Sequence, residues 1–183
     1  MALTSRQRHV LNIVHDIDET GVFALAGGGA INALEVADRE TNDLDLFTPA
    51  LEKVSEVADL VIAELQRQRI SVTVTNRRPG FIQLSVGETE TTIVEFAHDY
   101  RWLQPVETDV GLVLDMRELA ADKMCALFGR AEVRDVLDLG SLSERFSVEQ
   151  MASWAKEKDP GFDIAMTRQM LAAISPIALD ELT

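Results

Sequence analysis

Residues 25 to 47 read LAGGGAINALEVADRETNDLDLF, with three glycines in a row near the start and two aspartates, two apart, in an apolar run near the end. The apolar "VFALA" just before the glycines reads as a strand, residues 30 to 38 as a short helix built on Ile31, Leu34 and Val36, and "TNDLDLF" as a second strand ended by Pro49. Strand, glycine turn, helix, strand in under thirty residues commits this part of the chain to helices layered on a sheet. Side chains alternate along a strand, so Asp43 and Asp45 point to one face while Leu44 and Leu46 point to the other.

The remaining pattern extends that layer and then abandons strands. Residues 5 to 19 carry Val10, Ile13, Val14 and Ile17 at helical spacing, with Gly21 as the stop. Residues 51 to 69 form an amphipathic helix with Val54, Val57, Ala58, Val61, Ile62 and Leu65 as its stripe. "ISVTVTN", "GFIQLSVG" and "TTIVEFAH", separated by "RRPG" and "GETE", predict an antiparallel meander. A polar connection through residue 117 leads into four helical segments, "MRELAADKMCALFGR", "AEVRDVLDLGSLSERF", "VEQMASWAKEKD" and "FDIAMTRQMLAAI". The expectation is an α+β core over residues 1–115 and a helical region packed on it over 116–183. A length of 183 residues suits one main core, and a net charge of -14 disfavours indiscriminate nucleic-acid or membrane binding. With no bilayer-length apolar run and no secretory signal, the chain reads as cytoplasmic with no membrane partner. The single cysteine, Cys125, excludes an internal disulfide and fits a buried packing position.

Several residues have the chemistry of a site. Two ionised carboxylates on one spot repel unless a cation lies between them, and hard oxygen ligands suit Mg²⁺; an isolated pair on a solvated sheet face is the alternative. Gly27 to Gly29 let backbone N–H groups approach a phosphate at a helix start, although a tight turn alone also explains them. Glu95 becomes a third carboxylate if its strand lies beside "NDLDLF"; otherwise it is an ordinary half-exposed strand residue. Three carboxylates with one or two Mg²⁺ ions suit in-line attack on the α-phosphate of a nucleoside triphosphate. Lys123, at the edge of a helical apolar stripe, either snorkels to water or reaches a triphosphate. Asp135 and Asp138 share a helical face, with Arg134 spaced to pair with Asp138. Other motifs fail. "GGGAIN" has Asn32 where a dinucleotide fingerprint needs glycine, "DIDETG" lacks the terminal glutamate of a calcium loop, and His9, His15 and His98 have no metal-ligand spacing.

Taken together, the glycines, "RETNDLDLF", the acidic strand and "ELAADKMCALFGRAEVRDVLDL" resemble the DNA polymerase β-type nucleotidyltransferase superfamily, and within it the AbiEii and MenT group of toxin-antitoxin nucleotidyltransferases. The resemblance covers roughly residues 20 to 145, and the second block is the more specific part. It implies a mixed sheet flanked by helices, with metal roles for Asp43 and Asp45, a nucleotide-phosphate role for Lys123 and a supporting active-site role for Asp135. Gly28 and Gly29 stand where Gly-Ser is usual, so a hydroxyl contact to phosphate is missing; Glu95 stands where aspartate is frequent, one methylene longer. Thr41 occupies the Ser or Thr position before the first aspartate, where in some members a partner blocks activity by phosphorylation.

The resemblance implies a toxin that uses Mg²⁺ or Mn²⁺ and an NTP to add a nucleoside monophosphate to a tRNA 3′ end, stops translation and is countered by a cognate antitoxin. Arg67, Arg69, Arg77 and Arg78 near the meander, and Arg101, Arg117, Arg130 and Arg134 near the second block, offer contacts to RNA phosphates despite the acidic total. An acidic cleft also suits a cationic antibiotic as acceptor, and a non-catalytic nucleotide-binding relative is the third alternative. Trp154 and its helices have packing as their default role.

Overall fold

Helix α1, Ser5–Ile17, begins at a capping box in which Thr4 and Gln7 satisfy each other's backbone N–H groups. It ends at Asp18, whose carboxylate accepts from the Thr20 hydroxyl and, at 2.8 Å, from the Phe23 backbone N–H. This turn feeds strand β1, Ala24–Ala26, which is buried throughout. The computed structural model describes residues 3–37, 40–130 and 132–171, and the chain divides into two compact units, Met1–Asp115 and Met116–Thr183.

In the first unit, helix α2 (Gly27–Ala33) follows β1 directly, and β2 (Asp43–Thr48), α3 (Leu51–Arg67), β3 (Val72–Arg78), β4 (Phe81–Val86), β5 (Thr92–His98), β6 (Val106–Thr108) and β7 (Gly111–Val113) complete it. Among the described residues the strands form one mixed sheet in the order β3-β4-β5-β2-β1-β7-β6. The β3-β4-β5 meander is antiparallel as its turn signals predict, while β2 runs parallel to β5 and antiparallel to β1. Burial alternates along β2, β4 and β5. Leu44, Leu46, Ile82, Leu84, Val94 and Phe96 form the buried face, against which α3 sets Val54, Val57, Ala58, Val61 and Leu65. Each Å² of apolar surface this face removes from water contributes about 25 cal/mol to the unit's stability. Phe23 adds an edge-to-face contact to Phe96 at 5.6 Å between centroids.

Three local expectations change. The helix expected over 30–38 begins at Gly27 and ends at Ala33, with Glu35 left-handed at φ 55°; Asp38 lies outside the described residues. The glycines are its first turn, and Gly29 packs so closely that an added Cβ would sit 3.2 Å from Leu25 Cδ1. The connection expected through residue 117 contains the β6–β7 hairpin, whose three-residue strands are too short to show an alternating pattern. The helix expected over 51–69 stops at Arg67, because Arg69 takes a left-handed φ of 61°.

The second unit contains α4 (Met116–Gly129), α5 (Val133–Leu142) and α6 (Val148–Lys158), with residues 164–171 also helical. Ala131 and the end of the last expected helix lie outside the described residues. α4 packs against both α5 and α6. Cys125 is half-buried rather than buried, its thiol directed at the Ala155 carbonyl at 3.7 Å.

Candidate active site

Topology explains why glycines and aspartates at opposite ends of one stretch of sequence come together. β1 and β2 are antiparallel with Ala26 opposite Asp45, so the residue after Ala26 meets that aspartate. That residue is Gly27, at φ +57°, and a Cβ built on it would fall on the Asp45 carboxylate, 2.7 Å from Cγ and closer still to Oδ2. Any L side chain is thus excluded twice, by the left-handed backbone and by the carboxylate. Gly28 and Gly29 continue the first turn of α2, where backbone N–H groups have no partner inside the helix.

Asp43 and Asp45 lie half-exposed on the face of β2 opposite the buried Leu44 and Leu46, as strand alternation requires. The backbone just before them is anchored by Gln7: its side chain is buried and donates to the Thr41 carbonyl at 2.8 Å. Thr41 Oγ1 makes long contacts of 3.4 Å with the backbone N–H and carbonyl of Asp43. On the neighbouring strand Glu95 is in register with Asp45 and faces the same way. Its carboxylate accepts a 2.7 Å hydrogen bond from Gln83 Nε2 on β4. Among the described residues no three acidic, histidine or cysteine side chains gather closely enough to hold a metal ion together. Asp43 and Asp45 therefore share a face with Glu95 without forming a closed triad.

The second unit holds a different group. Lys123 on α4 is buried, with Nζ 3.2 Å from Asp135 Oδ1 and 2.7 Å from Asp138 Oδ2, both carboxylates on the face of α5 that the i, i+3 spacing defines. Asp135 also accepts from Arg130 Nε at 3.0 Å and Nη2 at 3.2 Å. Burial pushes the Asp135 carboxyl up, but the Arg130 hydrogen bond and the charges of Lys123 and Arg130 outweigh it and hold the group below its ordinary value of 3.8. Lys123 does not snorkel, and Asp138 faces it, while Arg134 lies 2.6 Å from Glu132. On the same α4, Glu118 and Asp122 meet the buried Lys158 of α6.

The sequence pattern of the family described as "Nucleotidyl transferase AbiEii toxin, Type IV TA system" matches residues 14–160. The chain belongs to the AbiEii nucleotidyltransferase toxin family. Its fold is similar to JHP933 from Helicobacter pylori, at a TM-score of 0.61, 15% identity, and coverage of 99% of this chain and 95% of that one. It is also similar to the antibiotic-resistance factor ANT(2″)-Ia, at 0.61 and 14% identity over 94% and 97% of the two chains. A further neighbour, described as a putative nucleotidyltransferase from H. pylori, has a TM-score of 0.58 and 13% identity over 98% and 97%. No curated protein matches by sequence. These likenesses support the α+β nucleotidyltransferase fold that the AbiEii resemblance implies. No helix among the described residues is long and apolar enough to cross a membrane.

Three contributors escape the sequence. Gln7 carries a signal, the Thr-x-x-Gln capping box, but nothing local connects it to Thr41. Gln83 and its partner Thr75 lie on strands whose pairing alone brings them to Glu95.

Proposed function

We propose that this AbiEii-family protein transfers a nucleoside monophosphate from an NTP to the 3′ end of tRNA, and that it acts in the cytoplasm as a translation-blocking toxin opposed by a cognate antitoxin. The observation that carries the chemistry is the half-exposed Asp43–Asp45 face, where the Asp45 carboxylate lies against a glycine that no other residue can replace without striking it. Two hard oxygen donors on one half-exposed strand face suit a divalent cation, so Asp43 and Asp45 would hold Mg²⁺ or Mn²⁺. When bound, the ion neutralises triphosphate charge and orients the leaving group. In the transfer step the acceptor hydroxyl oxygen bonds to the α-phosphorus as the bond to pyrophosphate breaks. The electron pair leaves with pyrophosphate, and the hydroxyl proton passes to Glu95. The first-turn N–H groups at Gly28 and Gly29 receive phosphate oxygens. Lys123 has the nucleotide-phosphate role its position in the family pattern implies, and Asp135 aligns its ammonium. Phosphorylation of Thr41 would place negative charge beside Asp43 and oppose metal and nucleotide binding.

Purified protein incubated with each labelled NTP, Mg²⁺ and total tRNA should label tRNA with at least one nucleotide, and Asp45→Asn should not. Failure with all four nucleotides rejects the tRNA reading. The net charge of -14 favours a second acceptor, a cationic antibiotic. Aminoglycosides in the same assay decide between the two, as does expression in a susceptible host, where growth arrest marks the toxin and drug resistance the other activity.

A further inference from the structure

Strand β3 carries one extra residue relative to β4. Val74 pairs with Leu84 and Asn76 with Gln83, leaving Thr75 between them as a bulge. The bulge determines where three side chains point. Beyond it, Arg77 faces α3 and pairs with Asp59, and Arg78 stacks over the Phe81 ring at 4.6 Å. At the bulge itself, Thr75 Oγ1 lies 2.7 Å from Gln83 Oε1 and 3.2 Å from the Gln83 carbonyl. Gln83 Nε2 in turn donates to Glu95 Oε1 at 2.7 Å. Gln83 and Glu95 are direct cross-strand partners, and Glu95 is the partner of Asp45 on its other side.

The chain of bonds has one chemically consistent direction. An ionised carboxylate only accepts, so the Gln83 NH₂ must face Glu95, its carbonyl oxygen must face Thr75, and the Thr75 hydroxyl must donate. A glutamate at this position has one more rotatable bond than the aspartate frequent in the family, and an unrestrained carboxylate on that longer stem would sample several positions. We infer that Gln83, oriented by Thr75 from the β3 bulge, is a positioning residue that fixes the Glu95 carboxylate beside Asp45 for removal of the acceptor proton. This rests on the transfer reading above. Its role is to restrict Glu95 and not to touch the substrate, so its loss lowers the rate of the chemical step and leaves nucleotide affinity alone.

Gln83→Leu should lower kcat about 10-fold with the KM for NTP little changed. Thr75→Val should lower it less, and Thr75→Ser, which keeps the hydroxyl, should restore the rate of the unsubstituted protein. In a Glu95→Gln background, Gln83→Leu should have no further effect. An equal loss in both backgrounds would show a merely structural role and overturn the inference, as would full activity in Gln83→Leu. A second readout needs no activity. The Gln83 side-chain amide, identified in a ¹H–¹⁵N spectrum by its loss in Gln83→Leu, should move on Thr75→Val and again on Glu95→Gln. An unmoved signal overturns the hydrogen-bonded chain even if transfer is observed. Absence of transfer in the unsubstituted protein rejects the transfer reading and the catalytic half of this one, whereas a moving amide signal then still establishes that Glu95 is held.

Discussion

The protein has two pairs of aspartates, and they are managed in opposite ways. Asp135 and Asp138 are fully buried on a helix and come with their own cation, Lys123, within 3.2 Å and 2.7 Å. Asp43 and Asp45 are half-exposed on a strand, with the Asp45 carboxylate against a glycine whose missing side chain makes room for it. Burying charge is tolerable only with a partner inside the fold, so the first pair is bound into the stability of its unit. The second pair stays within reach of water, where its mutual repulsion is weakened by solvent and can be relieved by a ligand. The same residue type at almost the same spacing is thus set in two environments, separated by burial.

The comparison breaks most sharply if the two pairs respond alike to substitution. Asp45→Asn should reduce nucleotidyl transfer on the order of 10³-fold, or about 4 kcal/mol of transition-state stabilisation, while leaving the thermal midpoint unchanged or higher. Labelled-nucleotide transfer and a thermal melt on one preparation test both halves. A large fall in the midpoint would place Asp45 with the structural pair instead. Lys123→Ala should do the reverse to stability, costing roughly 3–5 kcal/mol, because two buried carboxylates would lose the cation between them, with Asp135 keeping Arg130. Loss of activity in that variant alone therefore says nothing about phosphate. Lys123→Met combined with Asp135→Asn and Asp138→Asn removes the buried charges together and should recover most of the stability in urea denaturation. If transfer remains absent in the stable triple variant, as the proposed phosphate role requires, at least one of the three groups serves chemistry as well as folding.

Gly27→Ala tests the open side of the comparison at smaller amplitude. The left-handed φ alone costs about 1–2 kcal/mol, and the methyl must displace the Asp45 carboxylate. The expected result is a loss of transfer near 10²-fold, the scale for a catalytic group misplaced by about 1 Å, with a modestly lowered midpoint. Near-normal transfer with a lowered midpoint would mean that the glycine serves only the turn.

The sequence shows one aspartate pair more fully than the other, and the reason is the range of the interactions. Strand alternation is local, so placing Asp43 and Asp45 on one face opposite Leu44 and Leu46 needs only neighbours. The helix spacing of Asp135 and Asp138 is equally local, but their partner Lys123 is on another helix, and no spacing within α5 points to it. Likewise the buried contact of Lys158 with Glu118 and Asp122 has no signature in any window of sequence. The sheet order is legible in its meander, where turn residues fix antiparallel neighbours. By contrast, the parallel β2–β5 pairing that sets Glu95 beside Asp45 joins distant segments, and only the hydrophobic pattern of β5 made it conceivable. The β3 bulge depends on one residue's departure from register, which composition and periodicity do not encode.

The smallest effect concerns acid and tests the buried pair through Asp135. In the folded chain the Asp135 carboxyl is held below its ordinary 3.8: burial pushes it up, and Arg130 and Lys123 more than reverse that. In the pH range between the ordinary value and the depressed one, the unfolded chain binds a proton that the folded chain does not, so stability rises with pH there. The contribution is complete above about pH 4–5 and is lost as pH falls through the folded-state value. Asp135→Asn removes the titration. The stability gap between the unsubstituted protein and this variant, measured by urea denaturation from pH 6 down to pH 2.5, should therefore be widest near neutrality and narrow in acid. A gap independent of pH would mean that the Lys123 and Arg130 contacts contribute equally to the protonated carboxyl. Asp135 would then be fixed by shape and hydrogen bonding, and the charge argument that distinguishes it from Asp43 and Asp45 would fail.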